Sequence, residues 1–304
     1  MKSAQLFRTG LLVATTLFCS AHSVEAAGAN DNAVVHWNSI AAAAFLPADP
    51  TQGIDPLTQS RVFSMVHAAI HDALNAIDPQ YMAYTPGLRS AAGASPEAAV
   101  AAAAHNVLIV AAPSQKEMID AAYRSALAKL PDGTAKRRGV QLGEKAAALI
   151  LQRRAHDGVQ KALTTPYLPL DLAGDYAFTP PYDVPPLGPL AFAPGYGSVT
   201  PFGIDVAEHG LPGPQSLLSV EYALDFAYVK AVGELDSQFR TAEQSEIADF
   251  WYEDTPIGWN RLARLVLNEK QVGLWRSARV LALTNFAMAD AYIAGFAVKY
   301  DFRV

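Results

Sequence analysis

Cysteine is nearly absent from this chain: Cys19 is the single one in 304 residues. It falls inside a stretch that reads as an export signal. Once that stretch is removed, no disulfide and no thiolate chemistry is possible. Charge is sparse too, at 17% of residues with a net charge of −6. Nucleic acid finds no basic footprint here, and anionic membrane surfaces find no general attraction. Strand-period runs of useful length and internal repeats are missing. So is a Gly-rich phosphate loop, which excludes the usual nucleotide-triphosphate cradle. Without a Gly-x-Ser-x-Gly elbow, no Ser-His-Asp order can be placed.

What is present is apolar. Hydrophobic residues make up 51% of the chain, enough to bury a sizeable core in one large domain or two. At the start, Lys2 and Arg8 form a positive region before the apolar run 10–18, which is too short to span a bilayer. Val24-Glu25-Ala26 offers small residues where a signal peptidase reads, so residues 1–26 are expected to be a signal peptide. The protein is then exported, to the periplasm or beyond, and its mature charge is −7 after Lys2, Arg8 and Glu25 are lost. No membrane span is expected after cleavage. The apolar run 280–289 stops at Asp290.

Helical periodicity dominates the rest. The spacing predicts helices over 32–46, 57–77, 98–112, 114–130, 134–155, 219–235, 241–252, 255–267 and 273–304. Asp55-Pro56 is a cap followed by a first-turn proline. Ser114 to Glu117 and Thr241 to Gln244 have the capping-box pattern. Short connections among the third, fourth and fifth helices suggest an antiparallel bundle. Between 165 and 214 the texture changes. Eleven of the 20 prolines fall there, interleaved with Tyr167, Tyr176, Phe178, Tyr182, Phe192, Tyr196 and Phe202. Neither helix nor central strand tolerates that density. A disordered linker would hold few aromatics, so an ordered loop packed over the bundle is expected. The fold class is all-α, with residues 27–304 forming one helical domain.

Three candidate sites stand out. His67 and His71 lie one turn apart on a helix face, the spacing at which two imidazoles ligate one metal. The competing reading is a pair of hydrogen-bonded core histidines, and no zincin Glu follows His67. Asp72 and Asp290 sit in apolar helix faces, where a carboxylate needs a partner; Arg61 and Arg276 are candidates. Lys299 lies near the end of the last apolar helix. On spacing alone it is a cation favouring the helix dipole.

The run Ala287-Met288-Ala289-Asp290-Ala291 followed by Lys299-Tyr300-Asp301-Phe302 resembles the bacterial vanadium-dependent haloperoxidases, in the phosphatidic acid phosphatase type 2 superfamily. Weaker patterns extend the resemblance over nearly the whole mature chain. They are Asn32 to Asn38, Met65 to Ala69, Ser95 to His105, Val199 to Phe202, Glu221-Tyr222 and Thr241 to Gln244. In that family a long helix leads into a Lys, six residues and an Arg-Pro pair. Counting from Lys299, the Arg would fall two residues past Val304. The Pro-Ser-Gly-His and Ser-Arg-x-x-x-Gly-x-His motifs occur nowhere in the 304 residues. The resemblance is therefore to the amino-terminal helical half.

The resemblance implies the following for an intact relative. Vanadate is held in a helical bundle by a Lys, two Arg and backbone groups, with a His on the metal. Hydrogen peroxide is activated there and a halide is oxidised. Sister families use the same pocket to hydrolyse phosphate esters, because fixed positive groups stabilise either oxyanion. Only Lys299 carries over as an oxyanion ligand, with Phe296 one turn earlier lining the pocket. The implied state of this chain alone is inactive, with no catalytic residue assigned and no vanadate bound. Such a portion is expected to expose the face its complement would cover, and to form homo-oligomers or aggregate. Two other readings stand beside it: an acid phosphatase of the same superfamily, and a non-catalytic helical scaffold contacting partners through loop 165–214.

Overall fold

The computed structural model describes residues 32–47, 53–170, 172–186, 188–205 and 211–303. The expected signal peptide, with Cys19, lies outside them. Among the described residues the chain forms ten α-helices and no strand. They are α1 (Ala33–Phe45), α2 (Pro56–Ile77), α3 (Pro96–Ala111), α4 (Lys116–Ala128), α5 (Thr134–Arg154), α6 (Val159–Thr164), α7 (Val220–Gly233), α8 (Ala242–Trp251), α9 (Thr255–Glu269) and α10 (Leu274–Asp301).

Helix α2 is the hub. Asp55 caps it, accepting from Leu57 N and Thr58 N at 3.0 Å each, and Pro56 fits the first turn, where no N–H is needed. Most of α2 is buried, including Phe63, Val66, Ile70 and Leu74. Each such side chain contributes about 1.5–3 kcal/mol by leaving water. Helix α10 packs antiparallel against it. Trp275 Nε1 donates to Leu74 O at 3.0 Å near one end, and Leu57 shares a buried cluster with Ile293 near the other. Helix α10 is long and apolar enough to cross a bilayer, and 44% of its most apolar window is buried inside the protein. Ala278, Leu281, Asn285, Ala289 and Ile293 face inward, while Leu283 is exposed.

Helices α3 and α5 approach most closely because α3 is rich in alanine and α5 offers glycine. A Cβ at Gly143 would lie 2.7 Å from Ala103 N and 2.8 Å from Ala102 Cβ. Gly139 meets Ser95 and Ala98 in the same way. Both contacts advance together along the two helices, so α3 and α5 run parallel. Parallel first and third helices are what an antiparallel up-down-up order of three gives. The chain turns by 119° between α3 and α4, and α4 crosses over to make the parallel return possible. The same turn removes the expected Ser114 capping box. Pro113–Gln115 forms a 3₁₀ turn, and α4 begins without a side-chain cap bond.

In loop 165–214 the deepest burial is in the second part, while Tyr167, Asp175 and Tyr176 of the first part contact the end of α10. Ala193, Tyr196 and Val199 are buried against Leu57, Ala162 and Ile293. Gly197 sits against the α10 backbone at Ala297, where no Cβ fits. The earlier part leaves Leu168, Leu172 and Val184 exposed.

Candidate functional site

The end of α10 and the Pro-aromatic loop build the candidate site. Phe296, Lys299 and Tyr300 share one helix face by their three- and four-residue spacing. Lys299 Nζ lies 5.6 Å from the Tyr176 ring centre, 5.7 Å from Phe296 and 5.6 Å from Tyr300. Among the described residues it makes no hydrogen bond or ion pair. Three ring faces hold the ammonium by its attraction to their quadrupoles, each worth about 0.5–1 kcal/mol where water has access.

The rings are themselves fixed. Phe296 meets Tyr196 edge-on with centres 5.7 Å apart, and Phe192 at 6.3 Å. Tyr300 Oη donates to Phe192 O at 2.7 Å. Burial, with Tyr176 and Tyr167 nearby, pushes the Tyr300 phenol up to about 12, so it stays a donor at neutral pH. Tyr167 Oη donates to Tyr176 O at 3.0 Å.

The neighbouring cations are already engaged. Arg303 Nε donates to Asp175 Oδ1 at 2.6 Å, and its guanidinium also holds Leu168 O. The Arg303 charge and the Leu170 N–H hold the Asp175 carboxyl below the usual range. Arg154 is buried. Its Nε bonds Asp157 at 3.0 Å, and its two terminal nitrogens bond Thr200 O and Pro201 O at 2.5 and 3.1 Å. Arg61 shares Asp157 at 2.7 Å. This Arg61–Asp157–Arg154 cluster, not singled out in the sequence, pins the Thr200–Phe202 turn to the bundle.

The two buried carboxylates have partners of another kind than expected. Asp290 accepts three backbone N–H groups, from Phe202 at 2.6 Å, Gly203 at 2.7 Å and Ile204 at 3.0 Å. Asp72 accepts from Tyr84 N and Thr85 N at 2.7 Å each. Both tie a loop to a helix, and neither pairs with Arg61 or Arg276. Backbone N–H donors thus satisfy both buried carboxylates.

His67 and His71 point to different partners. Asn38 Nδ2 lies 2.7 Å from His67 Nε2 and 2.6 Å from Asn260 Oδ1. Arg264 donates to Asn38 Oδ1 at 2.6 Å, and Asn260 pairs reciprocally with Asn285 at 2.8 and 3.0 Å. This buried network joins α1, α2, α9 and α10. Burial first, then the Arg264 charge, lowers the His67 pKa to about 3. The ring is therefore neutral, with Nε2 accepting. His71 instead lies 3.2 Å from Asp72 Oδ1 and stacks on Tyr81. Among the described residues no three His, Cys, Asp or Glu side chains converge to hold a metal. The signal for the network was present in the sequence, as asparagines placed in otherwise apolar helix faces.

No known protein-family model matches this chain, and no curated protein is similar enough to compare. A solved structure does match: that of a bacterial vanadium-dependent iodoperoxidase. The TM-score is 0.69 over 90% of this chain and 69% of that one, at 18% identity. This likeness shows a shared all-α fold.

Proposed function

We propose that this chain is the amino-terminal helical portion of a vanadium haloperoxidase-like enzyme, with Lys299 as its first oxyanion contact. The fold likeness over 90% of the chain carries the reading. Lys299 supports it as a cation held among rings and, among the described residues, without an anionic partner.

The donors at this end do not fit vanadate on their own. A multiply charged oxyanion in such a pocket needs several fixed donors. Here Arg303 and Arg154 are spent on Asp175, Asp157 and backbone carbonyls. Lys299 is one ammonium, and the family's Arg-Pro and His-bearing motifs are not among the 304 residues. Peroxide-dependent halide oxidation thus requires groups this chain does not supply. What it supplies is a positioned ammonium, the aromatic rings that hold it, and Tyr300 held as a neutral donor.

Titration with vanadate, followed by equilibrium dialysis, tests this. The expected result is no saturation below millimolar vanadate, and a further loss in Lys299→Ala. Micromolar binding by this chain would sink the proposal. In a longer chain carrying the missing motifs, halide-dependent peroxide consumption is expected over phosphate release from a simple ester. The opposite preference would favour the phosphatase.

A further inference from the structure

Helices α7 and α8 form an arm whose order does not come from burial. No residue of either helix is buried. Its geometry is set by polar staples. Arg240 donates to Val232 O, Glu234 O and Leu235 O at 2.7–3.0 Å and to Ser245 Oγ at 3.1 Å. Gln244 Nε2 donates to Tyr228 Oη at 2.8 Å. Thr241 and Gln244 complete the capping box of α8. Yet α7 is apolar over most of its surface, interrupted by Glu221, Asp225 and Lys230, the pattern of a helix made to be covered. Leu224, Phe226 and Val229 are each at least 60% exposed. Phe239, Ile247 and Trp251 continue the surface.

The apolar face leads to a place for an anchor. Trp251 lies 5.8 Å, ring to ring, from Trp259. Trp259 lines a groove of about 420 Å³ between α9 and α10 with Thr255, Met288 and Tyr292. Aromatic walls around an open groove are where interface energy concentrates.

The charge of the arm selects the occupant. Residues 220–252 hold seven carboxylates, from Glu221 to Asp249, against Lys230 and Arg240. Arg240 is consumed by the carbonyls it caps, so Lys230 is the one other cation in the stretch. We propose that the α7–α8 face, with the Trp259 groove, docks a polypeptide surface that is apolar and basic, such as an amphipathic helix flanked by Lys and Arg. Two copies of this face would set carboxylate against carboxylate, a cost of juxtaposed like charge. The exposed basic side of α5 lacks apolar residues to match, since Leu142 and Ile150 face inward. An anionic lipid surface is repelled.

The test uses the purified full chain and two synthetic helical peptides with the same leucine face. One is flanked by Lys and Arg, the other by Glu. Dye anisotropy on the peptide reports binding, and light scattering reports oligomeric state. The basic peptide is expected to bind at least tenfold tighter than the acidic one and to weaken as salt rises. The double change Glu246→Gln with Asp249→Asn should weaken it severalfold with the helical signal unchanged, because both side chains are exposed. Equal binding of the two peptides, or no binding of the basic one, overturns the proposal. So does a chain dimer that dissociates in Phe226→Ser, since a second copy then covers the face. These readouts do not involve vanadate or Lys299, so this proposal and the oxyanion reading fail separately.

Discussion

The bundle of α2, α3, α5 and α10 and the arm of α7 and α8 are both rich in apolar side chains, and they treat them in opposite ways. In the bundle, Phe63, Ile70 and Leu281 are fully buried. Polar side chains meet inside it too, as where Asn285 of α10 pairs with Asn260 of α9, itself bonded to Asn38 of α1. In the arm, side chains of the same kind face solvent, and hydrogen bonds from Arg240 and Gln244 hold the shape. Burial makes a region stable, whereas local capping and stapling make it ordered. The arm has the second without the first, which is the condition of a surface kept ready for a partner.

The contrast breaks first in the bundle. Leu281→Ala is expected to cost about 2–5 kcal/mol, because a fully buried leucine leaves both lost transfer energy and a cavity. Thermal unfolding checks it, and a loss under 1 kcal/mol would mean that α10 is less central than its burial says. Next comes Asn260→Ala, which strands Asn285 and Asn38 partners in the interior for about 1–3 kcal/mol. A smaller, pH-dependent effect belongs to His67. Its folded pKa of about 3 lies below the usual 6.5, so the unfolded chain binds the extra proton between those values. Stability from this group is full above about pH 6.5 and falls as pH drops toward 3. Urea midpoints between pH 6.5 and 5, where most carboxylates stay ionised, should decline more steeply in the natural chain than in His67→Gln. The smallest effect is in the arm. Leu224→Ser should change stability by less than about 0.5 kcal/mol, as an exposed substitution does, and a loss comparable to that of Leu281→Ala would erase the contrast.

Much of the bundle was legible because its signals are local. Asn32, Asp55, Ser95, Ser219 and Thr241 all cap the helices their spacing announces. Helix α6 was missed because it is one short run after Gly158 in a left-handed conformation, with too few residues to show a period. The tight seam of α5 on α3 was illegible because it is a contact distant in sequence, Gly139 and Gly143 meeting the alanines of α3. The partners of Asp290 were illegible for a related reason. They are backbone N–H groups of residues 202–204, and no side-chain pattern encodes them. The reading of Lys299 as an oxyanion contact rests on resemblance, since its spacing matches an ordinary last-turn cation. Of the three rings around it, Phe296 and Tyr300 share its helix, while Tyr176 comes from a loop whose path composition does not specify.

Hydrogen exchange on the monomeric chain tests the central contrast most directly. Amides of α2, α3, α5 and the buried half of α10 should exchange only through large-scale opening, while those of α7 and α8 exchange through low-energy local opening. The basic peptide should slow the arm and leave the bundle unchanged. Equal protection of arm and bundle in the free monomer would contradict the account, because the arm would then owe its stability to burial after all.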